Sequence, residues 1–105
     1  MQARMATYSF SGDDAQALAR RAEEGILPIL KSQPGFKAYS VAIGDSEVFS
    51  LSVWETRAEA ESGSEVVASW VAENMAGEID LIDVRYGEIM FSTTLGVSTL
   101  AGATA

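Results

Sequence analysis

The sequence predicts one α+β domain of the ferredoxin-like βαββαβ type, in which two helices cover one face of a four-stranded antiparallel sheet. Three observations support this prediction. The chain has 105 residues, 48% of them hydrophobic, which is enough for a single core. Segments with strand-like alternation and segments with helical periodicity follow one another in the order of that fold. Glycine, proline and short polar turns separate most of these segments.

The six elements are predicted in chain order, with glycines or prolines marking several of their ends. Strands are predicted near residues 4–10, 36–43, 47–54 and 79–92, and helices near 13–32 and 57–76. Pro28 falls inside the first helix, so a kink or a restart is expected near Glu24–Gly25. Gly44-Asp45-Ser46 predicts a tight hairpin turn, and Gly87 is a candidate β-bulge in the last strand.

The two central strands of the sequence are apolar on both faces. With a two-residue hairpin turn, one face carries Tyr39, Val41, Ile43, Val48 and Trp54, and the other carries Phe36, Ala38, Phe49, Leu51 and Val53. An antiparallel sheet with one solvated face should show polar residues on that face. We therefore expect a second copy of the chain to cover the surplus apolar face, which predicts a homodimer.

The C-terminal end differs in composition from the rest. Residues 89–105 contain no charged side chain, but their serines, threonines and glycines are too polar for a membrane anchor. We divide the chain into a domain at residues 1–94 and a tail at residues 95–105. The start of the sequence lacks the apolar segment of a signal peptide, and no run of about 18 apolar residues could span a bilayer. A cytoplasmic protein without a membrane partner is expected.

The composition excludes several classes of function. Cysteine and histidine are both absent, which removes thiol chemistry, the usual zinc ligands and the usual haem ligand. The acidic pairs Asp13–Asp14 and Glu23–Glu24 do not form a metal-binding pattern, because neighbouring helical residues diverge. A formal charge of -8 disfavours nucleic acid as a partner. Neither a metal nor a cofactor is predicted.

Trp70 and Asn74 are the first candidate site residues. Four-residue spacing places them on neighbouring parts of one helical surface, where they could flank a ligand pocket. The alternative is that Trp70 packs at the edge of the helix and Asn74 caps a nearby backbone group, which is the commoner role for an aromatic residue on an amphipathic helix.

The last strand and the second strand supply three further candidates. Arg85 and Tyr86 point to opposite faces, so at most one of them can enter a given cavity. Arg85 could stabilise a phenolate or enolate, but an ion pair with Asp80, Asp83 or Glu88 is the alternative. Tyr39 could donate a hydrogen bond to a substrate oxygen, although tyrosine is also ordinary in strands.

The chain resembles a known family in four stretches. At QPGFKAYSVAIG, FSLSVWETRAEAE, WVAEN and GEI it is similar to the antibiotic biosynthesis monooxygenase-like family of dimeric α/β barrels, over roughly residues 4–92. The resemblance implies a cofactor-independent monooxygenase acting on a small aromatic or phenolic substrate. The alternative is a non-catalytic small-ligand-binding or regulatory dimer with the same fold.

The resemblance also bears on individual residues. The haem-degrading branch of the family uses an asparagine, a tryptophan and a histidine, whose positions correspond to about Met5, Gly63 and Glu73. All three positions depart from that pattern, so haem degradation is disfavoured. The cofactor-free branch holds its substrate with residues of the types found here, and the substrate-binding candidates are Trp70, Asn74, Tyr39, Tyr86 and Arg85. No catalytic residue is assigned.

Overall fold

A computed structural model describes residues 1–100 and shows the predicted α+β fold. The strands are β1 (Gln2–Phe10), β2 (Phe36–Ile43), β3 (Glu47–Trp54), β4 (Ile79–Glu88), β5 (Phe91–Ser92) and β6 (Val97–Ser98), and the helices are α1 (Ala15–Lys31) and α2 (Arg57–Asn74). The first four strands form one antiparallel sheet in the order β2-β3-β1-β4, and both helices pack on the same face of it. The core lies between the helices and that face.

Helix α1 is continuous from a polar cap to Lys31. The Asp14 carboxylate accepts a hydrogen bond from the backbone N–H of Ala17 at 2.9 Å, which satisfies one of the free donors of the first turn. Pro28 lies inside the helix, yet the helix does not restart at Glu24–Gly25 as the sequence suggested. Glu24 is exposed, so water can reach the carbonyl group whose helical partner Pro28 removes.

The hairpin between β2 and β3 turns over two residues, as predicted. The Gly44 N–H donates to the Glu47 carbonyl oxygen at 2.8 Å, and Ile43 pairs with Val48. The register slips at Lys37, because Phe36 pairs with Trp54 whereas Ala38 pairs with Val53. This bulge turns Phe36 toward the helices, where its ring meets Trp54 edge-on. The predicted place of Phe36, on the face of Ala38 and Phe49, was therefore wrong.

Helix α2 begins with a reciprocal cap and passes close to Trp54. The Thr56 hydroxyl accepts from the Glu59 N–H at 3.2 Å and donates to the Glu59 carboxylate at 3.0 Å. Gly63 lies where a larger residue would overlap the buried Trp54 ring. The helix can therefore approach the sheet closely at this point.

Strand β4 differs from its prediction in two ways. Gly87 pairs regularly with Ala3, and the bulge lies instead at Ile82, between the pairs Thr7–Asp83 and Tyr8–Leu81. The strand ends at Glu88 rather than at residue 92, because its neighbour β1 begins at Gln2 and the Ile89 N–H makes its bond to the Met1 carbonyl.

The chain then forms a small hairpin from β5 and β6. Its pairs are Phe91–Ser98 and Ser92–Val97, so residues 95–100 of the predicted tail fold back on the end of the predicted domain. The remainder of that tail, residues 101–105, lies outside the described residues. Within residues 1–100 no helix is long and apolar enough to cross a membrane.

The sheet face away from the helices is rich in apolar side chains. The register aligns Leu51 beside Met5 at its centre, with Phe49 and Val53 in the rows on either side. Met5 is 57% exposed and Phe49 is 45% exposed in the single chain. The centre of this face therefore lacks the polar character of a solvated sheet surface, whereas its β4 edge carries Asp83 and Arg85.

Candidate functional site

Trp70 and Asn74 make contacts within and between the helices. The Trp70 ring lies so close to Gly25 of α1 that a methyl group on Gly25 would overlap it. Asn74 is exposed, and its side-chain amide donates to the Trp70 carbonyl at 2.9 Å near the end of α2. These contacts are those of helix packing and helix capping, and a role for either residue in ligand binding stays a prediction.

Arg85 lies on the sheet face away from the helices. Its Nε donates to the Asp83 carboxylate at 2.6 Å, and this hydrogen bond holds the pKa of Asp83 below its ordinary value. The arginine side chain is 82% exposed. Arg85 thus forms one of the ion pairs expected as the alternative and lies apart from the other candidates, and a role for it in substrate binding stays a prediction.

Tyr86 lies on the helix face of β4, next to Arg4 in the strand register. The guanidinium carbon of Arg57, from the first turn of α2, lies 4.0 Å from the centre of its ring, which is a cation–π contact. Arg57 is held in addition by Glu61, at 2.9 Å. Tyr86 is therefore fixed at the end of the sheet where α2 begins.

Tyr39 lies in the interior between α1 and the sheet. With Tyr8 and Ser50 it contributes hydroxyl groups around a small apolar void of about 30 Å³. Burial raises the pKa of Tyr39 to about 12, against a smaller lowering by the Ser50 hydroxyl. Tyr39 therefore stays protonated at neutral pH and can act as a hydrogen-bond donor but not as a base.

An open gap lies between α2 and β4. Helix α2 packs on β1 and β3 and leaves most of β4 uncovered. Ala68 and Ala72 of α2, and Ala76 just after the end of the helix, line this gap, and such small side chains leave it unfilled. The result is an open cleft of about 330 Å³. Its remaining lining residues are Arg4, Tyr8, Ser64, Val71, Gly77, Ile79, Asp80, Leu81 and Val84.

Arg4 is the charged group at the inner wall of this cleft. Only 3% of its surface is exposed, and its Nε donates to the Ser64 hydroxyl at 2.7 Å. The sequence analysis did not select Arg4 or Ser64, which lie 60 residues apart. One signal was present: Arg4 shares the buried face of β1 with Ala6 and Tyr8 by strict alternation, and a charge on a buried face needs an explanation.

The cleft can bind and orient an apolar molecule that carries one polar group. A buried guanidinium in a partly dry site stabilises negative charge more strongly than it would in water. Among residues 1–100 there is no group of three or more carboxylates placed to hold a metal ion. The chemistry available in the cleft is therefore hydrogen bonding and charge stabilisation by Arg4, Ser64 and Tyr8.

Comparisons with known proteins place the fold. No protein-family model matches the sequence, and no curated protein matches it. Solved structures do match. SnoaB from Streptomyces nogalater, described as a cofactor-independent oxygenase, superposes with a TM-score of 0.67 at 11% identity, over 88% of this chain and 95% of that one. MupZ from Pseudomonas fluorescens has a TM-score of 0.67 at 9% identity, over 81% of this chain and 65% of MupZ.

Two further structures extend the comparison. A protein from an uncultured marine organism, described as a dimeric ferredoxin-like protein, has a TM-score of 0.63 at 6% identity, over 87% of this chain and 95% of its own. NE2512 from Nitrosomonas europaea, of unknown function, has a TM-score of 0.66 at 13% identity, over 87% and 91%. The chain has the ferredoxin-like α+β fold of these proteins, which confirms the fold that the sequence resemblance implied.

Proposed function

We propose that this protein is a cofactor-independent oxygenase that binds a small aromatic or phenolic molecule in the cleft between α2 and β4. The observation that carries the proposal is the cleft itself, about 330 Å³ in volume, with largely apolar walls and a buried arginine. A volume of this size falls at the lower end of small-molecule sites, which suits a compact aromatic molecule. The fold shared with a cofactor-independent oxygenase supports the same reading.

The chemistry asks little of the protein beyond binding. A substrate with an activated CH₂ group loses a proton to solvent and becomes an enolate or phenolate, whose charge Arg4 stabilises. This electron-rich anion reduces O₂. One oxygen atom enters the product as a carbonyl group and the other leaves as water, so the substrate supplies all the electrons. The protein contributes orientation and charge stabilisation.

A homodimer is part of the proposal. The apolar sheet face, with Met5, Phe49 and Leu51 at its centre, is the surface that a second copy would cover. The structural neighbour described as dimeric supports this assembly. In such a dimer the two sheets face each other, and both clefts stay open on the outer helical layer.

Oxygen uptake tests the catalytic part of the proposal. Purified protein, freed of metals by chelation and without added flavin, is incubated with an anthrone-type phenol in an oxygen electrode. Consumption of one O₂ per carbonyl formed is expected, together with loss of most of the rate in Arg4→Gln. The matched control is Arg20→Gln, an exposed arginine on α1. Ligand binding without oxygen uptake would instead support a non-catalytic small-ligand-binding dimer.

A further inference from the structure

Arg4 carries a buried charge, and no carboxylate of residues 1–100 forms an ion pair with it. Four ion pairs join described residues, and none of them includes Arg4. A buried cation is stable only when hydrogen bonds and an opposite charge compensate for its lost hydration. The Ser64 hydroxyl supplies one acceptor but no charge. Residues 1–100 thus compensate the buried charge of Arg4 only in part.

The terminal Nη groups of Arg4 have no hydrogen-bond partner among residues 1–100. Within residues 1–100 the Arg4 guanidinium makes one hydrogen bond, from Nε to the Ser64 hydroxyl. No fully buried side-chain nitrogen or oxygen atom among these residues lacks a partner. The two terminal Nη groups are therefore not fully buried, and the opening that Arg4 lines is the cleft. Two parallel N–H groups at the end of a guanidinium match the two oxygens of a carboxylate.

Asp80 also lines the cleft, but by alternation its side chain lies on the opposite face of the sheet from Arg4. Asp80 pairs with Ser9 in the sheet, five residues along β1 from Arg4, a separation of roughly 16 Å at about 3.3 Å per residue. Between them the walls are apolar, with Val71 and Val84 among the lining residues. The cleft thus has a cationic end at Arg4 and a largely apolar stretch beyond it.

We propose that the ligand of this cleft is an aromatic monocarboxylate, bound with its carboxylate on the Nη groups of Arg4 and its ring along the alanine side of α2. The inference rests on the proposed function and names the charge class of the molecule bound there. The largely apolar lining beyond Arg4 disfavours a second carboxylate on the far side of the ring. Since the whole chain carries a charge of -8, an anion has no reason to bind it non-specifically.

Isothermal titration calorimetry with three probes tests the assignment. 2-Naphthoate, 2-naphthamide and 2-naphthol share one ring system and differ in the polar group. The naphthoate should bind at least roughly tenfold more tightly than the neutral amide, since a charge-assisted bidentate pair is lost in the amide. Equal affinity for naphthoate and naphthamide, tighter binding of naphthol, or no binding of naphthoate would overturn the inference.

Variants locate the carboxylate. In Arg4→Gln the preference for naphthoate over naphthamide should disappear, whereas Arg20→Gln should keep it. Because Arg4→Gln replaces a buried residue, Ala72→Phe provides a second test from the exposed rim of the cleft. The new ring should block both naphthoate and naphthamide, while Ser69→Phe, on the exposed surface of α2 outside the cleft lining, should not. Unchanged naphthoate affinity in Ala72→Phe would refute the site.

The two proposals can fail separately. Arg4-dependent binding of naphthoate without oxygen uptake on any anthrone supports the ligand assignment and overturns the oxygenase. Oxygen uptake on a neutral anthrone that is lost in Arg4→Gln, together with equal affinity for naphthoate and naphthamide, supports the oxygenase and overturns the ligand assignment.

Discussion

Replacing Gly63 by alanine should destabilise the protein, although alanine is the better helix former. In α2 the exchange alone would stabilise by about 0.8–1.0 kcal/mol. The new methyl group, however, would overlap the six-membered ring of Trp54. That ring is 1% exposed, its Nε1 donates to the Ser52 hydroxyl at 2.9 Å, and it packs edge-on against Phe36. It has little room to move aside.

The net cost follows from these opposing effects. Overpacking a rigid core typically costs about 1–3 kcal/mol, and the larger values apply where neighbours cannot shift. After subtraction of the helix-propensity gain, we expect a loss of about 1–2 kcal/mol. For a domain of this size that corresponds to a fall in Tm of about 4–16 °C. Thermal unfolding followed by circular dichroism at fixed protein concentration measures it.

The matched control is Gly25→Ala in α1. The same propensity gain applies there, and the added methyl group would meet the ring of Trp70, which is only partly buried and can swing outward. Gly25→Ala should therefore cost less than Gly63→Ala. A double variant, Gly63→Ala with Trp54→Phe, should lose less stability than the sum of the two single changes, because phenylalanine removes the overlapping atoms. A Gly63→Ala protein as stable as wild type, or an additive double variant, would refute the reasoning.

Three further predictions concern assembly, titration and Trp70. Sedimentation of the wild-type protein should report a mass of about twice 11.2 kDa, and a monomer at micromolar concentration would contradict the dimer. Leu51→Glu on the open sheet face should give a folded monomer, whereas Ser62→Glu on α2 should remain dimeric. The folded pKa of Tyr39 is raised to about 12 from 10.0, so its contribution to stability is fully present below about pH 10 and is lost as the pH rises toward 12. In urea titrations Tyr39→Phe should flatten this dependence of the unfolding free energy on pH. An unchanged slope in the variant would contradict the prediction. Trp70→Phe should lower the Tm because the smaller ring leaves its contact with Gly25 unfilled, while loss of naphthoate binding at unchanged Tm would make Trp70 a wall of the site.

The sequence by itself determined the elements and their order. Each strand and helix is a local pattern, since alternation in FKAYSVAI or the cap at Thr56 involves residues close together in the chain. The apolar character of both sheet faces was also readable, once the hairpin turn fixed which residues alternate. Bulges were not, because a register slip at Lys37 or Ile82 depends on the neighbouring strand rather than on the residue itself.

Only the tertiary structure decided where the candidate site lies. Local periodicity selected Trp70 and Asn74, but it cannot show that Gly25 of another helix receives the Trp70 ring. Nor can it show that α2 covers β1 and β3 while leaving β4 open. The cleft and the contact between Arg4 and Ser64 arise from packing between segments 60 residues apart. Burial and hydrogen bonding are properties of that packing, and a buried charge becomes visible only when the surrounding groups are in place.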